Sequence, residues 1–349
     1  MYPLLTALIS CILNLAFTPL VIYIAHRRKW FDPLDPRKIH RGNVPRLGGI
    51  GIFWTSFLPI ALLALIPVFN PSGGSGIDYL PLLAGMLIVN VLSLVDDFRN
   101  ISAKLRFAVQ VLVSVALCFF DFRFHSIWLP GLGALSIPAW ISWPLTVLWI
   151  VGIINAINFI DGMDGLCGGI SIIAACTYGI LYVARGEAMP ALFSFALVGS
   201  LAGFLFYNFP PAKIFMGDSG STYLGFMVAL LPLISRNGAY LDIQPYLGIT
   251  VIVIPIFDTF AAIWRRLRAG KSIMSPDDWH LHHKLLKLGL GTRAILGMIY
   301  ASTMALGAVN VLSSYLPRGW FLALVAASWT VALSGFIALH FLKNRRLGK

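Results

Sequence analysis

Four polar clusters interrupt a very apolar chain, and their residue types point to one kind of chemistry. They are Asp96-Asp97, the run Asn155-x-x-Asn158-x-x-Asp161-x-x-Asp164, the turn Gly217-Asp218-Ser219-Gly220-Ser221, and His280-x-His282-His283. Carboxylate and amide oxygens suit a hard divalent cation, and imidazole beside lysine and arginine suits phosphate. An ionised carboxylate at mid-bilayer costs roughly 2.5–3.5 kcal/mol or more. Asp96, Asp97, Asp161, Asp164 and Asp218 all border apolar runs, so they imply a charged partner.

Each cluster also has a plainer reading. Asp96-Asp97 closes the run VLSLVDD: the two acids share a cation, or one acts as base while the other orients, or both are solvated helix-end acids. Lys104, just beyond, either snorkels or contacts phosphate. Gln110 reads as a helix-packing group. In NAINFIDGMDG the spacing of three groups neighbours along one side of a helix, drifting about 60° per step. Gly162 and Gly165 break that helix near Asp161, which leaves a loop with exposed backbone N–H groups. Asp218, alone, is a helix cap in a Gly/Ser turn that donates N–H groups to an anion; with the other clusters it becomes a metal ligand. The His cluster binds a transition metal or, given Lys284, Lys287, Arg265, Arg266 and Arg268 nearby, phosphate. Asp258 pairs with a basic residue of that loop, structurally or catalytically. The first basic loop contributes Lys38, His40, Arg41 and Arg46. The Gly48-Gly49 pair beside Arg46 signals close backbone approach to another element.

The segments that position these residues are membrane helices. Apolar residues make up 58% of the 349 and charged residues 11%, against about 25% in a soluble globular chain. The sequence predicts one all-α polytopic transmembrane domain over residues 1–349. Its eleven crossings fall at about 3–25, 47–68, 79–95, 104–120, 141–157, 168–184, 190–209, 220–235, 243–264, 293–312 and 319–342. The stretch near 121–140, with Pro130, Gly131, Gly133 and Pro138 between β-prone arms, reads as a short extracytoplasmic hairpin. The four cysteines lack CxxC spacing and read as packing residues. No cleavable signal is evident, because the first apolar run ends in His26-Arg27-Arg28-Lys29.

Charge sets the orientation. With the N-terminus outside, 22 of the 26 Lys and Arg lie inside, and Arg123, Arg185, Arg236 and Arg318 lie one to an outside loop. All four clusters follow odd-numbered crossings, so all face the cytoplasm, as does the C-terminus. The net charge of +12 is then a topology signal and an attraction to anionic membrane lipid, and no nucleic-acid motif is present.

The chain resembles the polyprenyl-phosphate N-acetylhexosamine-1-phosphate transferases of glycosyltransferase family 4, relatives of phospho-N-acetylmuramoyl-pentapeptide transferase. The motifs KIHRGNVPRLGG, VDDFRNISAKLRF, NAINFIDGMDGL, FMGDSGS and PIFDTFAAIWRRLRAGKSIMSPDDWHLHHKLLKLG carry the likeness, in that order and over nearly the whole chain. The muramoyl-pentapeptide branch has three consecutive His, whereas Leu281 interrupts them here. The resemblance implies transfer of a sugar-1-phosphate from a UDP-N-acetylhexosamine, by default UDP-N-acetylglucosamine, to undecaprenyl phosphate. UMP is released and Mg2+ or Mn2+ is the cofactor. This would be the first membrane step of an envelope polysaccharide of O-antigen, common-antigen or teichoic-acid type, in a bacterial inner membrane.

The resemblance also assigns roles. Asp96 answers to the acid that deprotonates or orients the lipid phosphate, with Asp97 as its metal-proximal neighbour. Asn158 and Asp218 answer to the metal ligands, and Asp161 and Asp164 to acids near the nucleotide-sugar. His280, His282 and His283 answer to a loop binding phosphate or sugar. Lys38, Arg46, Lys104 and Asn155 complete the expected substrate contacts. Which Asp is the base stays open, as do direct transfer against a covalent intermediate and a homodimer. The alternatives are the muramoyl-pentapeptide reaction and, from another class, a transporter. Transporters set their polar groups near the midplane, often in repeated halves; no half-repeat is visible here.

Overall fold

The computed structural model describes residues 1–31, 44–65, 79–99, 101–235, 244–272 and 279–346. Thirteen helices and one hairpin follow in the order α1 (Tyr2–Arg28), α2 (Gly48–Leu65), α3 (Leu80–Arg99), α4 (Ala103–Phe119), β1 (Ser126–Leu129), β2 (Gly133–Ser136), α5 (Ala139–Ile160), α6 (Leu166–Ala184), α7 (Ala188–Asn208), α8 (Gly217–Ile234), α9 (Gln244–Val251), α10 (Val253–Arg268), α11 (Leu281–Lys287), α12 (Thr292–Ser313) and α13 (Arg318–Arg346). Lipid offers no hydrogen-bond partners to a bare backbone, so apolar runs of this length close their own N–H and C=O groups as helices.

Among the described residues, each of the eleven apolar segments is helical over most of its length. By length and composition, eight helices among the described residues can cross a membrane: α1, α2, α3, α5, α6, α7, α12 and α13. The segment at 243–264 is two helices, α9 and α10, bent by 79° at their junction, and counts as a ninth span if the pair crosses together. Two predicted crossings fall outside this group: α4 is 17 residues long, and α8 opens on a polar turn. The membrane-protein class stands: by length and composition eight of the described helices can span, or nine with the bent pair.

The hairpin near 121–140 is present. Ser126 pairs with Ser136 and Leu129 with Gly133 in an antiparallel ladder. Tyr246 Oη donates to Trp128 O at 2.6 Å, which fastens the hairpin to the start of α9. The four cysteines are free thiols, buried or half-buried.

Helix α8 is the hub. It packs against α2, α3 and α5, with α6, α7 and α9 also in contact. All of its residues except Asp218 are buried. The approach predicted from Gly48-Gly49 occurs at its N-terminus. Gly48 N–H donates to Phe215 O at 2.9 Å, Gly49 N–H to Met216 O at 2.8 Å, and Phe215 N–H to Pro45 O at 2.8 Å. A Cβ on residue 49 would run into the Gly220 backbone and Ser219.

Candidate active site

Asp97, near the C-terminal end of α3, accepts two backbone N–H groups from the first turn of α8: Asp218 N at 2.8 Å and Ser219 N at 3.0 Å. Its side chain is 1% exposed. The amides expected to hold a ligand anion are therefore taken by a carboxylate of the chain itself, which satisfies the orphan donors of the helix end. Asp218 is thus the capped residue rather than the cap. Its side chain, 25% exposed, turns outward.

Arg46 Nη2 stands 3.0 Å from Asp218 Oδ1, and Arg46 Nε 4.0 Å from Asp97 Oδ1. From the other side Arg106 Nη1 lies 3.7 Å from Asp218 Oδ2 and also pairs closely with Asp96. Asp96 is buried, and its second oxygen accepts the Ile101 N–H at 2.6 Å. So Asp96 ties the α3–α4 turn together through Arg106. Asn158, on α5, donates from Nδ2 to Ser221 Oγ at 2.8 Å and to Asp218 Oδ1 at 3.4 Å.

Helix α5 stops at Ile160, as the glycines foretell, and Gly165 takes φ of +77° before α6 begins. Asp161 and Asp164 sit in that break. Asp164 Oδ2 accepts the Ala212 N–H at 3.0 Å. Burial pushes the Asp161 carboxyl up to about 7; the Arg46 guanidinium opposes that rise, and the Asp218, Asp97 and Asp164 carboxylates reinforce it.

Part of this group opens on a cavity of about 890 Å³, while Asp96, Asp97 and Arg106 stand behind its lining. Arg46, Asn158, Asp161, Asp164, Asp218 and His283 all line it, with Phe215 and Met163 among its apolar walls. The His cluster reaches it through α11. His280 precedes that helix, and its Nδ1 lies 2.8 Å from Asp258 Oδ2. The His282 ring is buried against Gly162, and neither of its nitrogens has a hydrogen-bond partner among the described residues. Burial, with His283 and His280 adding repulsion, holds His282 down to about 3, so it stays neutral. The His282 and His283 rings are 4.2 Å apart.

Three expected contacts stand apart from this group. Asn155 donates to Gln110 Oε1 at 3.1 Å and to Val151 O at 2.7 Å, which makes it part of the α4–α5 packing. Lys104 is exposed and has no ion pair among the described residues. Lys38 lies outside the described residues, as do His40 and Arg41. Three residues carried no role in the sequence. Arg106 bridges two of the clusters. Asn208 lines the cavity while accepting Gly165 N–H at 2.9 Å and donating to Ile214 O at 2.8 Å. Arg293 also lines the cavity and donates to Pro210 O at 3.3 Å. Asn208 had a signal, a lone amide closing an apolar run just before Pro210-Pro211.

Residues 79–236 match glycosyl transferase family 4. A probable undecaprenyl-phosphate N-acetylglucosaminyl 1-phosphate transferase of Bacillus subtilis is 34% identical over 293 residues, 84% of this chain and 80% of its own length. The chain belongs to this family. The family region holds three of the four clusters and stops short of the His cluster. A decaprenyl-phosphate N-acetylglucosaminephosphotransferase of Mycobacterium leprae extends the likeness, at 33% identity over 98% of this chain and 91% of its own. An undecaprenyl-phosphate alpha-N-acetylglucosaminyl 1-phosphate transferase of Salmonella typhi is 30% identical over 89% of this chain and 85% of its own. The oxygen donors Asp218 and Asn158 on the cavity wall suit a hard cation that takes few protein ligands. Among the described residues no three His, Cys, Asp or Glu side chains form a self-sufficient metal cage.

Proposed function

We propose that the protein transfers N-acetylglucosamine-1-phosphate from UDP-N-acetylglucosamine to undecaprenyl phosphate and releases UMP. The observation that carries this reading is the convergence of Arg46, Asn158, Asp161, Asp164, Asp218 and His283 on one cavity of about 890 Å³. The names of the relatives supply the acceptor and the sugar.

The reaction joins two anions. An oxygen of the lipid phosphate attacks the phosphorus attached to the sugar, and the bond from that phosphorus to the UMP oxygen breaks. Mutual repulsion and the charge gathering on UMP are the barriers that the site has to offset. Arg46 and Arg106 place two guanidiniums beside Asp218, on the side where helices α3 and α4 meet. His283 and Arg293 add polar donors elsewhere on the wall. Mg2+ or Mn2+, held by Asp218 and Asn158, would neutralise pyrophosphate charge. Asp161, with a carboxyl that titrates near neutral pH, suits proton transfer or orientation of the donor.

The membrane arrangement belongs to the same reading. Eleven crossings with the N-terminus outside would put the cavity on the cytoplasmic face of a bacterial inner membrane, where nucleotide-sugars are found. The positive-inside bias supports it.

The test is UMP release by purified protein in detergent, with undecaprenyl phosphate and a panel of UDP-sugars. UDP-N-acetylglucosamine should be the preferred donor, and release should need the lipid phosphate. UMP release that proceeds without lipid phosphate, or none with any donor, would overturn the proposal.

A further inference from the structure

Asp258 lies in α10, outside the cavity, and is 2% exposed. Its two oxygens do separate things. Oδ2 faces His280 Nδ1 at 2.8 Å, and Oδ1 accepts the Leu281 N–H at 2.9 Å. A carboxylate offers no proton, so the bond to Oδ2 requires the hydrogen on Nδ1. That leaves Nε2 of a neutral His280 as the acceptor nitrogen, and it fixes the plane of the ring. The other oxygen caps the first free amide of α11. One carboxylate therefore sets both the tautomer of His280 and the entry angle of the helix that bears the other two histidines.

The neighbours pass that setting on. The His280 ring lies 6.0 Å from Phe159, which adjoins Asn158 on α5, and the Arg266 guanidinium covers the same Phe159 ring at 5.1 Å. The His280 and His282 rings are parallel to within 3° at 6.1 Å. His282 rests on Gly162, beside Asp161, and His283 reaches the cavity. A shift of His280 would thus carry through α11 to the cavity wall.

We propose that Asp258 is a positioning residue for the transfer reaction, acting through His280 to hold α11 against the α5–α6 break. The proposal rests on the transferase reading above. Asp258→Asn keeps the size and one oxygen for Leu281, but it presents an N–H where His280 needs an acceptor. Asp258→Glu keeps the carboxylate at a shifted position.

The experiment is a double-mutant cycle on the purified full-length protein, with kcat and KM for UDP-N-acetylglucosamine measured beside thermal stability. Asp258→Asn should lower kcat/KM at least tenfold, and Asp258→Glu should lower it less. In a His280→Gln background, adding Asp258→Asn should change kcat/KM by less than twofold. The same fold loss in both backgrounds would overturn the proposal, as would wild-type rates in Asp258→Asn. A second readout does not need turnover. In 15N-histidine spectra, the signal missing from His280→Gln should report the Nδ1–H tautomer in the wild type and lose it in Asp258→Asn. The Nε2–H tautomer in the wild type would overturn the proposal even if activity behaved as expected. Wild-type protein that releases no UMP but shows the Nδ1–H tautomer would defeat the transferase reading and leave the positioning of His280 intact.

Discussion

The Asp97 carboxylate caps the helix that presents Asp218: its oxygens lie 2.8 Å from the Asp218 amide nitrogen and 3.0 Å from that of Ser219. Two acids that the sequence sets 121 residues apart are thereby locked in one unit. Asp97 acts on Asp218 through the backbone, while Arg46 reaches both side chains.

Removing that cap should show in stability as well as rate. Asp97→Ala is expected to cost about 0.5–2 kcal/mol, the usual range for a lost N-cap. Turnover should fall about 100-fold or more, because small displacements of reacting groups cost that much. Asp97→Asn, with one oxygen for two amides, should be less destabilising. Thermal unfolding in detergent beside UMP release measures both, and an Asp97→Ala protein with unchanged melting would remove the cap from the account.

Asp218 itself should be a matter of metal. Asp218→Ala is expected to abolish transfer, and any activity left should need more Mg2+, since a hard-cation site loses charge and geometry together. EDTA should silence the wild type, and added Mg2+ or Mn2+ should restore it. Near-normal rates for Asp218→Asn at low Mg2+ would argue that Asp218 is not a ligand.

His282 gives the pH dependence. Its folded value, about 3, lies below the ordinary 6.5, so the unfolded chain binds more protons between the two. Stability from this group is present in full above about 6.5 and is lost as pH falls towards 3. His282→Phe should flatten the decline in melting temperature between pH 7 and 5. An equal decline in both proteins would count against a buried neutral imidazole.

Gly162 should tolerate no side chain. A Cβ there would stand 2.5 Å from His282 Nε2, and the ring is buried. Gly162→Ala is expected to displace α11 and lower kcat/KM about tenfold or more, and His282→Ala in the same chain should recover part of the melting temperature. Wild-type kinetics in Gly162→Ala would mean that the ring moves aside freely.

Periodicity and composition made the helices legible, because a backbone in lipid has few options. The hairpin was legible from its prolines and glycines. The three-residue run was legible only in part. A drift of about 60° per step carries Asn155 well around the helix from the Asp161 end, so it meets Gln110 while Asn158 meets Asp218. Gln110 and Asn155 meet each other between α4 and α5. Pairings between distant segments leave no such trace. The amides that cap onto Asp97, the bridge made by Arg106 and the hold of Asp258 on His280 all depend on tertiary approach, and a single sequence has no period for that.

Among the described residues, a long helix that opens on a polar turn is also the most enclosed. Helix α8 begins Gly-Asp-Ser-Gly-Ser-Thr and is shielded along its whole length, with only Asp218 open. A segment with that first turn gains little from partitioning into hydrocarbon on its own. Its stability in the membrane comes from a protein surround that α2, α3 and α5 have to supply. Biogenesis is therefore tied to the site: the carboxylate that lines the cavity makes its own helix dependent on neighbours already inserted. Lesions in those neighbours, far from any substrate, would surface first as a chain that fails to mature.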